Sequence, residues 1–226
     1  MIIHDVKQGT TPWIELRAGI PTSSQFGRII TATGKPSSSA KSYMFDLMAE
    51  RWMGHPVTNF VSNWMDRGNE LEPSAVDFYS FQTDQDTQTV GFITNDAGTV
   101  GASPDRLVGS DGLLEVKVAK ESTHIGYLLE NGPDRKYLPQ LQGQLWISER
   151  QWVDICSYHP LMPPCVVRVE RDEDYIKLLS THVTEFVEEL DKRYRTLIEK
   201  LGEPVREDRE PEPFADLRKA MIAVNQ

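Results

Sequence analysis

Residues 103–117 read Ser-Pro-Asp-Arg-Leu-Val-Gly-Ser-Asp-Gly-Leu-Leu-Glu-Val-Lys. Gly109-Ser110-Asp111-Gly112 is a strong turn signal, and the run at 113–118 that follows it has the composition of a strand. Side chains alternate along a strand, so Glu115 and Lys117 share one face while Leu114, Val116 and Val118 share the other. The apolar set is expected in a core. That leaves an acid and an amine on the remaining face of a central, covered strand, where charged groups are paired or hold a cation. Asp105, at the end of a preceding strand at 100–103, is brought alongside Glu115 by the turn. Two adjacent carboxylates repel each other, and a divalent cation resolves the repulsion; magnesium takes a few carboxylates and completes its shell with water and phosphate oxygens. Lys117 at the rim is placed to position an attacking water or offset charge on a phosphoryl transition state. Glu-x-Lys alone is common by chance and reads as a salt bridge on a half-exposed hairpin. With Asp105 added, salt bridge and metal site both remain open.

Outward from this strand, the periodicity predicts an α/β domain. Strands are expected at 90–94 and 100–103, joined by Asn95-Asp96-Ala97-Gly98, so that with 113–118 they form an antiparallel meander. Upstream, Thr11 as N-cap and Pro12 at the first helical position start a short helix through Arg17. Further helices are predicted at 24–30 and at 42–53, the latter stopped by Gly54, with a flexible polar loop at 33–40 between them. Apolar positions including Trp64, Met65, Leu71, Ala75, Val76 and Phe78 give a helical stretch over 60–81, where Pro73 implies a kink or a new helix near Glu72. Downstream the pattern gives helices near 121–130 and at 139–148, a strand pair at 152–158 and 165–169, and an amphipathic helix over 172–201. The tail 202–226 is charged and Pro-rich, with a short helix at 214–222.

The 226 residues, 39% hydrophobic, suffice for one sizeable core. No apolar run approaches the roughly 20 residues that cross a bilayer, and the N-terminus lacks signal-peptide character, so a cytoplasmic protein without membrane association is expected. Cys156 and Cys165 sit in apolar surroundings and read as reduced, buried thiols. No Cys/His cluster has zinc spacing. A net charge of −10 argues against a passive nucleic-acid binder but not against an enzyme whose cation-holding carboxylates enter the sum. Residues 199–213 (EKLGEPVREDREPEP) carry much of that acidity.

Glu72, in Gly68-x-x-x-Glu72-x-x-Ala75, lies on the small-residue face of its helix; alone it reads as a helix-start carboxylate favoured by the dipole. Four segments in order resemble the PD-(D/E)xK nuclease superfamily and, within it, the phage lambda-type (alkaline, viral recombination) exonucleases. They are Trp13-Ile-Glu-Leu-Arg17-Ala-Gly-Ile-Pro-Thr-Ser-Ser24, Arg67-Gly-Asn-Glu-Leu-Glu72-Pro-Ser-Ala, Ser103-Pro-Asp105 through Glu115-Val-Lys117, and Tyr137-Leu-Pro-Gln140-Leu-Gln142-Gly-Gln144-Leu-Trp146.

The resemblance implies a restriction-endonuclease-like α/β core, a central mixed sheet flanked by helices, in a single nuclease domain. It makes Asp105 and Glu115 direct ligands of Mg2+ (Mn2+ as substitute), the Val116 carbonyl a third, Glu72 a further ligand directly or through water, and Lys117 the catalytic lysine. Arg17, Ser24 and Ser103 match positions that grip a 5′-phosphate; Gln140 and Gln142 match the helix beside the active site that Tyr137 introduces. Arg17 otherwise reads as a helix-end arginine pairing with Glu15, Arg106 as a DNA contact or surface residue, and Trp13 as core. The implied activity is 5′-to-3′ digestion of one strand of linear double-stranded DNA for single-strand-annealing recombination, by a homotrimer with a single-strand annealing protein as partner. The competing readings are a RecB-like or restriction-type endonuclease and a non-catalytic interaction module.

Overall fold

The computed structural model describes residues 1–56 and 63–204. In chain order the elements are β1 (Ile2–His4), α1 (Thr11–Arg17), a 3₁₀ segment (Ser23–Arg28), α2 (Ala40–Met53), α3 (Asn63–Thr83), β2 (Thr87–Gln88), β3 (Phe92–Thr94), β4 (Gly101–Ala102), β5 (Arg106–Val108) and β6 (Gly112–Val118). There follow α4 (Glu121–Leu129), a second 3₁₀ segment (Arg135–Tyr137), α5 (Leu138–Ser148), β7 (Trp152–His159), β8 (Met162–Glu170) and α6 (Glu173–Leu201). The architecture is the expected mixed sheet flanked by helices: five strands in the order β2-β5-β6-β7-β8, with β6 and β7 parallel and the other pairs antiparallel.

The hairpin partner of β6 differs from the expectation. It is β5, with Arg106 opposite Leu114 and Val108 opposite Gly112. The 100–103 run instead supplies β4 to a separate sheet of order β1-β3-β4. Pro104 has no N–H to donate to a ladder, and it divides β4 from β5. Asp105 therefore lies immediately before β5, with Ser103 and Pro104 separating it from β4.

Local signals set the other boundaries. Thr10, not Thr11, is the N-cap residue of α1, with Pro12 in the first turn. Gly54 ends α2 at φ 76, a conformation that costs glycine little. The 24–30 helix is a 3₁₀ segment starting at Ser23, and the 33–40 loop is partly tied by a bridge between Ile30 and Pro36. α3 runs on through Pro73 instead of restarting there. Asp172 caps α6 by accepting from the Tyr175 amide at 2.9 Å. Residues 57–62, the side chains of Trp64 and Met65, and the 214–222 helix lie outside the described residues, as does the acidic stretch from 205 onward.

Helices cover both faces of the five-stranded sheet. Leu113, Val153 and Ile155 pack against Leu141 and Leu145 of α5 and Leu179 and Val183 of α6. Leu114, Val108 and Cys156 pack on the other side against Val76 and Tyr79 of α3. Glu115 and Lys117 thus share a face with Leu113, on the side of the larger core, whereas the expectation put the core opposite them. Both cysteines are free and buried, and burial pushes the Cys156 thiol up to about 12, which leaves it unreactive. Among the described residues no helix is long and apolar enough to cross a membrane.

One buried charge locks the sheet. Asp154 on β7, 2% exposed, accepts from the Tyr79 hydroxyl at 2.7 Å and from Arg168 of β8 at 2.8 and 2.9 Å. Asp154→Ala leaves the Tyr79 hydroxyl without its acceptor and Arg168 without its partner. Because the Arg168 side chain is 46% exposed and can rehydrate, chemical denaturation should show a loss of about 2–3 kcal/mol, the lower part of the range for breaking such pairs. A loss within 0.5 kcal/mol would contradict this assignment.

Candidate active site

β6 carries the centre of the site. Glu115 is 4% exposed, and both its oxygens are occupied. Oε1 accepts from Lys117 Nζ and from Gln140 Nε2, each at 2.6 Å; Oε2 accepts from Gln144 Nε2 at 2.6 Å. Lys117 Nζ also lies 3.4 Å from Gln140 Oε1 and 5.0 Å from the centre of the Tyr137 ring. Burial pulls the Lys117 ammonium toward discharge, but the charges of Glu115 and Asp105 outweigh it, and the net shift is upward. Lys117 is ion-paired to Glu115 at 2.6 Å.

Asp105 sits one step beyond the last registered pair of β5 and β6, next to Glu115. Its Oδ2 accepts from the Val116 amide at 2.6 Å. Loss of hydration, and then the charge of Glu115, push its carboxyl well above the usual carboxylate range; the Val116 hydrogen bond and Lys117 oppose the shift. The N–H and C=O of a strand residue point to the same edge, so the Val116 carbonyl faces the Asp105 side, where β5 pairs no further than Leu114. Two crowded carboxylates and a carbonyl lacking a ladder partner form a hard oxygen donor set suited to a divalent cation. Among the described residues no three His, Cys, Asp or Glu side chains cluster as a ligand set, so water and phosphate oxygens would complete the shell. Glu72 contributes to the charge around Asp105, but its carboxylate is held by Arg106 Nη1 at 2.8 Å. Arg106 is thus partly buried and ties α3 to the start of β5.

A cleft of about 340 Å3 adjoins this centre, and Arg17, Ser24, Ser103, Glu115, Lys117 and Gln140 all line it. Arg17 does not pair with Glu15. Its guanidinium stacks on the Trp13 ring at 3.8 Å, and burial lowers it to about 10. It is a poorly hydrated cation for which no carboxylate among the described residues forms an ion pair, a state that favours capture of an anion. The Trp13 indole donates to Ser103 Oγ at 3.0 Å. An indole N–H cannot accept, so the Ser103 hydroxyl must, and its own proton is left to donate elsewhere. Trp13, read from the sequence as core, is part of this cleft. Gln8 also lines it, donating to the carbonyls of Val90 and Pro104 at 2.9 Å each.

The 3₁₀ segment bearing Ser24 packs directly on α5. A Cβ at Gly143 would lie 2.5 Å from the Phe26 ring and 3.3 Å from Ser23, so only glycine permits this approach. The structure thus brings together Asp105, Glu115, Val116, Lys117, Glu72, Arg17, Ser24, Ser103, Tyr137 and Gln140. Gln142 is the exception. It is 1% exposed, donates to the Glu170 carbonyl at 2.8 Å and accepts from the Asp172 amide at 2.9 Å, tying α5 to the β8–α6 junction. The residue that joins Gln140 at Glu115 is Gln144, four positions on and so on the same helix face.

With this geometry established, comparison places the chain among known proteins. A family model described as a YqaJ-like viral recombinase domain matches residues 12–151, more than half of the chain. The chain belongs to the YqaJ-like viral recombinase family. It is similar to the crystal structure of an alkaline exonuclease from Laribacter hongkongensis, with 33% identity and a TM-score of 0.78 over 84% of this chain and 97% of that one. The same enzyme in complex with dAMP matches with 33% identity and a TM-score of 0.77 over 84% and 97% of the two chains. A phage-related exonuclease from Haemophilus somnus 129PT shares the fold, at 17% identity and a TM-score of 0.64 over 79% of this chain and 96% of that one. No curated protein sequence matches significantly. The chain is a DNA exonuclease of the phage alkaline type.

Two neighbouring glutamines give the site a sharp test. Gln140→Ala should lower the exonuclease rate per folded molecule roughly 10- to 100-fold, the scale for losing a partner that orients a metal-binding carboxylate, if Glu115 is one. Gln142→Ala should instead lower stability by about 1–3 kcal/mol, the penalty of unpaired buried groups, and leave the rate per folded molecule near wild type. The opposite pattern in paired melting and rate measurements would contradict the two placements.

Proposed function

We propose that the chain is a magnesium-dependent exonuclease that digests one strand of linear duplex DNA from its 5′ end, in phage-type recombination by single-strand annealing. The observation that supports this most is the shared cleft: the desolvated Arg17 and the hydroxyls of Ser24 and Ser103 open into the space lined by Glu115 and Lys117. A terminal 5′-phosphate held by the first group would lie close to the second, as stepwise removal of nucleotides requires. The relative from Laribacter hongkongensis was crystallised with dAMP, a nucleoside monophosphate of the kind such digestion releases.

In this reading Asp105, Glu115 and the Val116 carbonyl would hold Mg2+, with Glu72 completing the site directly or through water; Mn2+ would substitute. When bound, the ion supplies a more acidic water and neutralises charge on the phosphate. Lys117, ion-paired to Glu115, places its ammonium where negative charge builds on the phosphate oxygens. Gln140 orients both Lys117 and Glu115. Arg17, its face stacked on Trp13, offers the N–H edge of its guanidinium to a terminal phosphate, and Ser103 donates the proton that Trp13 leaves free. A single-strand annealing protein as partner and a homotrimer of the 25.7 kDa chain belong to the same proposal.

Purified protein with Mg2+ should release mononucleotides from end-labelled linear duplex and leave covalently closed circles intact. Lys117→Ala should cut the rate by at least about 100-fold, the scale of lost transition-state charge stabilisation. Wild-type rates in that variant, or cleavage of circles, would overturn the assignment. Arg17→Ala should reduce the preference for 5′-phosphorylated over 5′-hydroxyl ends about 10-fold or more, in line with loss of a charge-assisted phosphate contact. An unchanged preference would remove Arg17 from the pocket.

A further inference from the structure

Gln144 stands out among the buried polar groups. Its side chain is buried, with the residue 1% exposed, and its Nε2 donates to Glu115 Oε2 at 2.6 Å. Among the described residues, its own Oε1 is a buried side-chain oxygen that finds no hydrogen-bond donor. A buried unsatisfied acceptor is costly, and an apolar residue of similar shape at this position would avoid the cost. The amide cannot be turned to relieve it, because that would set one oxygen against another at Glu115. The orientation of Gln144 is therefore dictated by Glu115 and tolerated for its sake.

The chemistry of the donor matters too. Gln140 and Gln144 hold the two oxygens of Glu115 from one face of α5 with neutral amides, and Lys117 adds the one positive charge that touches it. A second cation there would cancel the carboxylate. A neutral donor fixes its orientation and leaves its charge available to a metal. We propose that Gln144 is a positioning residue that sets the divalent-cation affinity of the centre by immobilising Glu115 in its ligating orientation. This rests on the reading of Glu115 as a metal ligand.

The experiment is calorimetric titration of Mn2+ into wild type, Gln144→Met, Gln144→Asn and Glu115→Gln, with melting temperatures for each and the Mg2+ dependence of the exonuclease rate. Gln144→Met keeps shape and removes both the donor and the orphaned oxygen. It should weaken Mn2+ binding about 10-fold or more, the usual cost of losing a partner of a metal ligand, and lower the melting temperature of the metal-free protein, because Glu115 Oε2 loses its donor. The rate should be largely recovered at high Mg2+. Gln144→Asn, too short to reach Glu115, should show the same loss and serves if the methionine variant does not fold. An unchanged Mn2+ affinity in a folded Gln144 variant, or a rate deficit that Mg2+ does not recover, would overturn the inference. Absence of Mn2+ binding to wild type, or wild-type affinity in Glu115→Gln, would instead overturn the metal assignment beneath it.

Discussion

Glu115 is held almost entirely out of water on the central strand, and three side chains converge on its two oxygens: Lys117, Gln140 and Gln144. A buried carboxylate persists only where donors replace its lost hydration. The replacement comes from two elements. Lys117 is supplied by the same strand two residues on, and both glutamines by α5. The sheet and the helix must dock in one register for Glu115 to keep its three donors, so the packing of Leu113 and Ile155 against Leu141 and Leu145 and the chemistry of the site are fixed together.

From that contact the rest of the cleft follows. α5 leans on the 3₁₀ segment at Gly143, where a side chain would strike Phe26, and this carries Ser24 to the edge of the site. α1 brings Trp13, whose ring supports Arg17 and whose N–H sets the direction of the Ser103 hydroxyl. Arg106 links Glu72 of α3 to the start of β5, just after Asp105. The net charge of −10 includes the carboxylates at the centre, while Arg17 and Lys117 line the cleft where a phosphate would enter.

Much of this was legible in the sequence, and particular residues show why the remainder was not. Alternation of side chains along a strand puts Glu115 and Lys117 on one face wherever the strand lies, so that pair could be read directly. Helix ends such as those at 172 and at Gly54 are set locally, and both lie within a residue of where the sequence places them. β5 was hidden because it is three residues long and begins with an arginine, so it carries no apolar run. Arg106 pairs with a residue 34 positions earlier, and nothing local announces that contact. Gln142 is a different kind of miss. Residues two apart on a helix point away from each other, whereas 140 and 144 share a face, so helical geometry alone already favoured Gln144.

The central claim is that Asp105, Glu115 and the Val116 carbonyl form a divalent-cation centre at the heart of a DNA exonuclease. An anomalous difference map from crystals soaked in Mn2+ tests it most directly. The account predicts a strong peak within about 2.0–2.3 Å of an Asp105 carboxylate oxygen, a Glu115 carboxylate oxygen and the Val116 carbonyl, the bond lengths of hard cations to oxygen. A map empty at that point, or a dominant peak elsewhere, would contradict it.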